Sequence, residues 1–175
     1  MDFNKYQAGD LVKVLRHDYR RFPDGKSTSN EAIVSSLTKE NYSLIDRGKT
    51  VQEVVDYFHD LEKEIFMYNR ADYVHAVEWI VTMPDDCPPE QERKFFEVAK
   101  NYFVSTLPMG EKCLICCEVH KDEKYVNPAT GEVVSKPAHM HLMYVPAVKL
   151  TVSEKRKIKE QRTRTVDLPR VRRTL

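Results

Sequence analysis

The spacing of apolar residues divides this chain into elements. From 51 to 68, Val54, Val55, Phe58, Leu61, Ile65 and Phe66 recur every three or four positions, which is the period of one buried helical stripe, and Thr50 stands at the N-cap. A second helical stretch starts at Cys87-Pro88-Pro89-Glu90, carries Phe95, Phe96, Val98, Ala99, Tyr102 and Phe103, and runs to about Leu107, where Pro108-Met109-Gly110 stops it. A third follows Gly9-Asp10, with Leu11, Val14 and Leu15 as its stripe, and extends to Arg21; a polar loop covers Pro23 to Asn30. Elsewhere apolar, β-favouring residues crowd into short runs that predict strands at 2–6, 41–45, 74–82, 113–120 and 139–145. Between the last two, Asn127-Pro128-Ala129-Thr130-Gly131 is turn chemistry flanked by Tyr125-Val126 and Val133-Val134, a hairpin. After Pro146 the pattern predicts a basic helix from Val152 to about Arg164, with a disordered end from Val166 onward.

Strands and helices alternate, which by itself suits a parallel α/β sheet. The last two strands, however, are joined through a hairpin. The reading is therefore α+β: an antiparallel sheet of about five strands with flanking helices on one side, the other face left open. One domain is expected over 1–150, with a basic tail over 151–175.

Composition is that of a globular chain, 41% hydrophobic and 31% charged. The formal net charge of +1 excludes a molecule that binds nucleic acid through overall charge, but the charge is unevenly spread. From 151 to 175 nine Lys/Arg face three acidic residues, so that tail is the basic part. No apolar run reaches the ~20 residues of a membrane span, and the start Met1-Asp2-Phe3-Asn4 lacks the form of a signal peptide, so a cytoplasmic protein is expected. Cys113 and Cys116 have Cys-x-x-Cys spacing, but no second cysteine pair exists to complete a cage; buried, unreactive thiols are expected.

The chemistry concentrates between Cys113 and Val148. His139 and His141 are two apart in a strand, so both imidazoles point to one face, about 7 Å apart. If the preceding strand pairs antiparallel with theirs, His120 joins them. Three converging imidazoles make a divalent metal site with open positions. His120-Lys121-Asp122-Glu123 adds a carboxylate. A second group, Arg16, His17, Tyr19, Arg20 and Arg21, ends the first helix; it reads either as a solvated basic face or as a nucleophile with phosphate-binding arginines. His59 falls beside the buried stripe of the 51–68 helix and reads as structural; His75 could face the metal but carries no partner motif and reads as a solvent or core residue.

The succession His17-Asp18-Tyr19-Arg20, Asn41-Tyr42-Ser43-Leu44, Glu78-Trp79-Ile80-Val81-Thr82, Phe95-Phe96 through Tyr102-Phe103, His120-Lys121-Asp122-Glu123 and His139-Met140-His141 resembles the catalytic domain of the MobV-type (Mob/Pre) plasmid mobilisation relaxases of the HUH endonuclease superfamily. The resemblance covers nearly all of the chain up to Pro146. It implies an antiparallel sheet with the histidines on central strands, a divalent cation (Mn2+ or Mg2+), and nicking and rejoining of single-stranded DNA at a plasmid or mobile-element transfer origin. On that resemblance His120, His139 and His141 match the metal ligands, Glu123 the motif's acid and His17 a nucleophile that forms a covalent 5′-phosphate adduct; Arg20 matches the arginine beside the nucleophile. Arg16, Arg20 and Arg21 are the expected DNA contacts, and Glu123 either orients His120 or serves as base toward His17. Tyr19 is the competing nucleophile, about 200° from His17 around the helix.

Three features depart from the family pattern. Lys124 to Ala138 separate the acid from the His-x-His pair, Ala138 stands where proline is usual, and the chain is short, so it is expected to lack the C-terminal region tied to homodimerisation and membrane association. Three rivals remain. A histidine-triad hydrolase would need a third histidine where Met143 stands, and a replication or transposition enzyme would need a tyrosine after the motif, where none follows Tyr144. A non-catalytic DNA-binding relative is the third.

Overall fold

The computed structural model describes residues 2–20, 31–65 and 72–166, the last six by backbone alone. In order they form β1 (Asp2–Tyr6), α1 (Leu11–Asp18), β2 (Tyr42–Ser43), α2 (Val51–Glu64), β3 (Ala76–Thr82), α3 (Glu92–Thr106), β4 (Leu114–His120), β5 (Lys124–Val126), β6 (Val133–Ser135), β7 (His139–Tyr144) and α4 (Val152–Val166). Five strands build one antiparallel sheet in the order β1-β3-β7-β4-β2, while β5 and β6 make a separate two-stranded ribbon. β4 and β7 are the most continuously buried strands, and they take interior positions in the sheet.

The alternation of side chains along β7 assigns the two faces. Met140 and Leu142 pack with Val81, Cys117, Val119 and Phe96 of α3. Met143 faces the other way, onto Leu11 and Leu15 of α1 and Val54, Phe58 and Leu61 of α2, with Ala76, Ile115 and Cys116. His139 and His141 share the parity of Met143. The expectation of helices on one side alone is therefore corrected: α3 covers one face, and α1 with α2 cover the apolar part of the other. Residues such as Ala76 and Met143 on the histidine face would otherwise stay wet, so only the polar end of that face is left open.

Local chemistry explains the element ends. Thr50 and Glu53 form a reciprocal capping box, Thr50 Oγ accepting the Glu53 N–H at 3.2 Å and Glu53 Oε2 accepting that of Thr50 at 3.3 Å. Asp10 does not cap α1; its carboxylate accepts the N–H of Gln7 instead. Helix α1 ends at Asp18, short of Arg21, because Tyr19 closes the last turn on the Leu15 carbonyl and Arg20 adopts φ 51°. The strand expected over 41–45 shrinks to two residues, since Ser43 turns its hydroxyl onto the carbonyl of Ile45. Helix α2 ends at Glu64 rather than Tyr68. Arg21, the loop at 23–30 and the tail from 167 lie outside the described residues. Cys113 sits in a turn and Cys116 and Cys117 in β4, all buried; burial raises the Cys117 thiol to about 12 and Cys116 well above its usual value, so neither forms a thiolate near neutral pH.

Candidate active site

The register of the central strands builds the site. Antiparallel pairing sets His120 directly opposite His139 and Glu118 opposite His141. Neighbouring β3 puts Ile80 beside His141 and Thr82 beside His139. The three imidazoles converge, with ring centroids 4.5 Å apart for His120–His141, 5.3 Å for His139–His141 and 5.5 Å for His120–His139. All three are buried.

Each ring has one nitrogen tied to an oxygen that can only accept. His120 Nε2 donates to the carbonyl of Asp18 at 2.6 Å, His139 Nδ1 to the carbonyl of Pro137 at 3.1 Å, and His141 Nδ1 to Glu78 Oε1 at 2.7 Å. The lone pairs then lie on His120 Nδ1, His139 Nε2 and His141 Nε2. His120 Nδ1 is buried with no hydrogen-bond partner among the described residues, an expensive state for an isolated imidazole nitrogen and the natural one for a ligand awaiting a cation. The donor set suits a borderline divalent ion. Glu78 is itself held by Tyr6 Oη at 2.6 Å and Asn4 Nδ2 at 3.1 Å, so β1 braces His141 through β3.

The last turn of α1 meets this cluster. The His17 ring lies 6.0 Å from that of His120 and 5.9 Å from that of His141, and its side chain is 35% exposed. Burial, then the charge of Arg20, pulls the His17 pKa down to about 4, so the ring is neutral at pH 7. Arg20 Nη1 approaches His17 Nε2 at 3.2 Å, and since a guanidinium only donates, Nε2 carries the lone pair. Tyr19 is turned away: it packs against the core beneath α1 and α2 and lines a different cleft, with Tyr42, Asp46 and Glu118.

The acidic residues are tightly engaged. Glu123 Oε1 accepts from Arg20 Nη2 at 2.7 Å and Oε2 from Lys136 Nζ at 2.8 Å, with His17 Nε2 and His120 Nδ1 each 3.9 Å from Oε1 and His139 Nε2 3.7 Å from Oε2. Burial pushes this carboxyl up, but His139, Lys136 and Arg20 together hold it well below the carboxylate range. A carboxylate held so low is a weak proton acceptor, which counts against the base role expected of Glu123. Against the expectation of a phosphate clamp, the Arg20 side chain is 4% exposed, bound to Asp122, Glu123 and the His17 carbonyl. Asp122 is further fixed by Thr38 Oγ1 at 2.8 Å. Arg16 is exposed on α1, and Arg21 lies outside the described residues. His75 and His59 both sit by Glu62 rather than in this cluster.

Four groups present ligand atoms within 4.8 Å of one another: His17, His120, Glu123 and His141. His139 stands at the rim of that set. Two clefts flank the His17 ring. One, about 610 Å3, is lined by Lys5, Tyr6, Lys13, Glu78 and His141; the other, about 450 Å3, by Thr82, Glu123, Lys136, Pro137 and His139. His17, Ile80 and His141 border both, so they form one groove across the open end of the sheet. Sequence reasoning missed Glu78, Lys13 and Lys136. A carboxylate inside the apolar run Ala76–Thr82 was the readable signal for Glu78, and Lys13 is one helical turn before His17.

Comparisons with known proteins agree with this architecture. A plasmid recombination enzyme from Streptococcus agalactiae is 33% identical over 175 residues, covering 95% of this chain and 32% of the relative. One from Bacillus thuringiensis is 26% identical over 146 residues, covering 81% and 29%. The chain thus spans about a third of these relatives. A manganese-bound crystal structure of the MobM relaxase domain with plasmid pMV158 oriT DNA superposes with a TM-score of 0.65 at 32% identity, covering 93% of this chain and 82% of that one. A second MobM–oriT DNA complex, also manganese-bound, gives 0.62 at 31%. The plasmid recombination enzyme (Mob_Pre) family matches residues 1–170, and to that family, sharing the fold of the MobM relaxase domain, this chain belongs.

Proposed function

We propose that this chain is a relaxase domain that nicks and rejoins one DNA strand at a plasmid or mobile-element transfer origin, with His17 as the nucleophile. The carrying observation is the neutral His17 imidazole, its ring 6.0 Å from that of His120 and 5.9 Å from that of His141, beside a cluster of three imidazoles that each have one nitrogen tied back. His120, His139 and His141 would hold the cation. When bound, a divalent ion, manganese as in the MobM structures or magnesium, supplies positive charge against the scissile phosphodiester oxygens.

The remaining work falls to side chains. The groove positions the strand across His17, Lys13 and Lys5 on one side and Lys136 on the other offering cations to its phosphates. Released from Arg20, Nε2 of His17 attacks phosphorus, the P–O3′ bond breaks, the 3′ oxygen departs and takes a proton from solvent, and the phosphorylated ring gives up its Nδ1 proton to solvent. The resulting phosphoramidate keeps the energy of the backbone bond, so the reverse attack by a 3′ hydroxyl reseals the strand. Arg20 sets the His17 tautomer and holds Glu123, which balances the charge around the cluster. The expected outcome, with manganese and an end-labelled single-stranded oligonucleotide carrying the origin, is cleavage and a protein–DNA band that survives denaturant. His17→Ala abolishes that band and Tyr19→Phe keeps it. Loss with Tyr19→Phe alone overturns the assignment, and DNA binding without cleavage by the wild-type chain leaves a non-catalytic binder.

A further inference from the structure

Between Glu123 and His139, two residues of the cluster, the chain leaves the main sheet and returns. Strands β5 and β6 pair only with each other among the described strands, with Tyr125 opposite Val134 and Val126 opposite Val133. These side chains are open to solvent: Tyr125 is 42% exposed, Val126 61% and Val133 63%. An isolated ribbon that exposes apolar residues on both faces has little to hold it, yet its base is well anchored. Lys136 N–H donates to the Glu123 carbonyl at 2.8 Å, Lys124 N–H to the Ala32 carbonyl at 2.8 Å, and Lys136 Nζ to the Glu123 carboxylate. Lys136 and Pro137, where the ribbon rejoins the sheet, line the same cleft as His17 and His139. The ribbon therefore rises from the wall of the groove.

Resting on the reading given under Proposed function, we propose that the β5–β6 ribbon is a single-strand DNA contact, with Tyr125 as a stacking platform for an unpaired base beside the scissile phosphate. The groove runs into the ribbon's base, and an unstacked nucleotide leaving it offers a flat apolar face with a phosphate attached. An exposed tyrosine with neighbouring valines matches the first, and Lys124 at the ribbon's foot the second.

The test uses the full chain, manganese-free, with a fluorescent thymidine 20-mer, and the same 20-mer carrying 5-iododeoxyuridine for photocrosslinking. Tyr125→Ala is expected to weaken binding by about tenfold, within the range of lost base stacking. Tyr125→Phe should bind like wild type, and the crosslink should map to Tyr125. Manganese affinity should be unchanged in both variants, which shows the histidine cluster intact. Unaltered affinity in Tyr125→Ala, with crosslinks confined to other segments, overturns the proposal. A Tyr125 crosslink in a chain that never cleaves DNA supports the ribbon contact while removing the nickase reading, so the two fail separately.

Discussion

His120 donates from Nε2 to the main-chain carbonyl of Asp18 at 2.6 Å, and that one bond ties a buried histidine of β4 to the helix turn that carries His17. The proposed nucleophile and a candidate ligand are thereby held in register by backbone rather than by a mobile side chain. Asp18's own carboxyl is buried beside Glu78, and burial together with that neighbouring charge raises its pKa well above the usual value.

Metal binding separates the proposed ligands from the proposed nucleophile. His120→Ala, His139→Ala and His141→Ala are each expected to lose more manganese affinity than the ~10–100-fold typical of an outer partner. His17→Ala should stay within a few-fold of wild type by titration calorimetry. A loss in His17→Ala as large as in the others would make His17 a ligand, consistent with its place in the 4.8 Å set, and would remove it as nucleophile.

Glu78 orients His141 and is braced by Tyr6 and Asn4. Glu78→Ala frees His141 to rotate and is expected to weaken manganese binding by about 10–100-fold. Affinity equal to wild type in electron paramagnetic resonance titrations would show that the bond is incidental.

Arg20 joins the α1 turn to Asp122 and Glu123 out of contact with water. Arg20→Ala leaves buried Asp122 with no cationic partner among the described residues and Glu123 with Lys136 alone, and is expected to cost about 3–5 kcal/mol in urea unfolding. Arg20→Lys restores one charge but not the fork that reaches both acids, so it recovers only part. A loss below about 1 kcal/mol would count against this account.

Acid destabilises the metal-free protein. Burial lowers His17 to about 4 and His120 to about 2, so from roughly pH 6.5 downward the unfolded chain takes up two protons that the folded one refuses. Asp18, raised, has the opposite sign: folded it keeps a proton that the unfolded chain releases above its ordinary value. Two against one leaves stability falling with falling pH between about 6 and 4.5. The urea midpoint in chelator should drop across that window, and the drop should shrink in His17→Gln. A flat midpoint would sink the prediction.

The tail from 151 to 175 holds nine Lys/Arg, four of them on the described first turns of α4. Its removal is expected to flatten the salt dependence of single-strand binding, since each neutralised phosphate adds about 0.7 to the slope. An unchanged slope would assign the tail no DNA contact.

The elements and the histidine convergence were legible because they depend on local periods. Val54 to Leu61 can bury one stripe only as a helix, and His139 and His141 share a face because strand side chains alternate. Less legible were the helix ends, where Arg20's positive φ and Ser43's turn are single-residue events set by distant partners. The role of Arg20 was misread for the same reason: a basic residue at a helix end looks solvated until Asp122, 102 positions away, closes on it.

The sequence by itself determined where the candidate chemistry concentrates, that the fold is an antiparallel sheet with helices, and that His120, His139 and His141 can meet. Tertiary structure alone decided which nitrogen of each ring is free, that helices cover both faces, that Glu123 is held ionised by Arg20 and Lys136, and that His17 rather than Tyr19 faces the cluster. The physical reason is range. Backbone periodicity acts over a few residues and is written in their order, whereas hydrogen-bond partners and charge environments are set by strands and helices that meet only after the chain has folded.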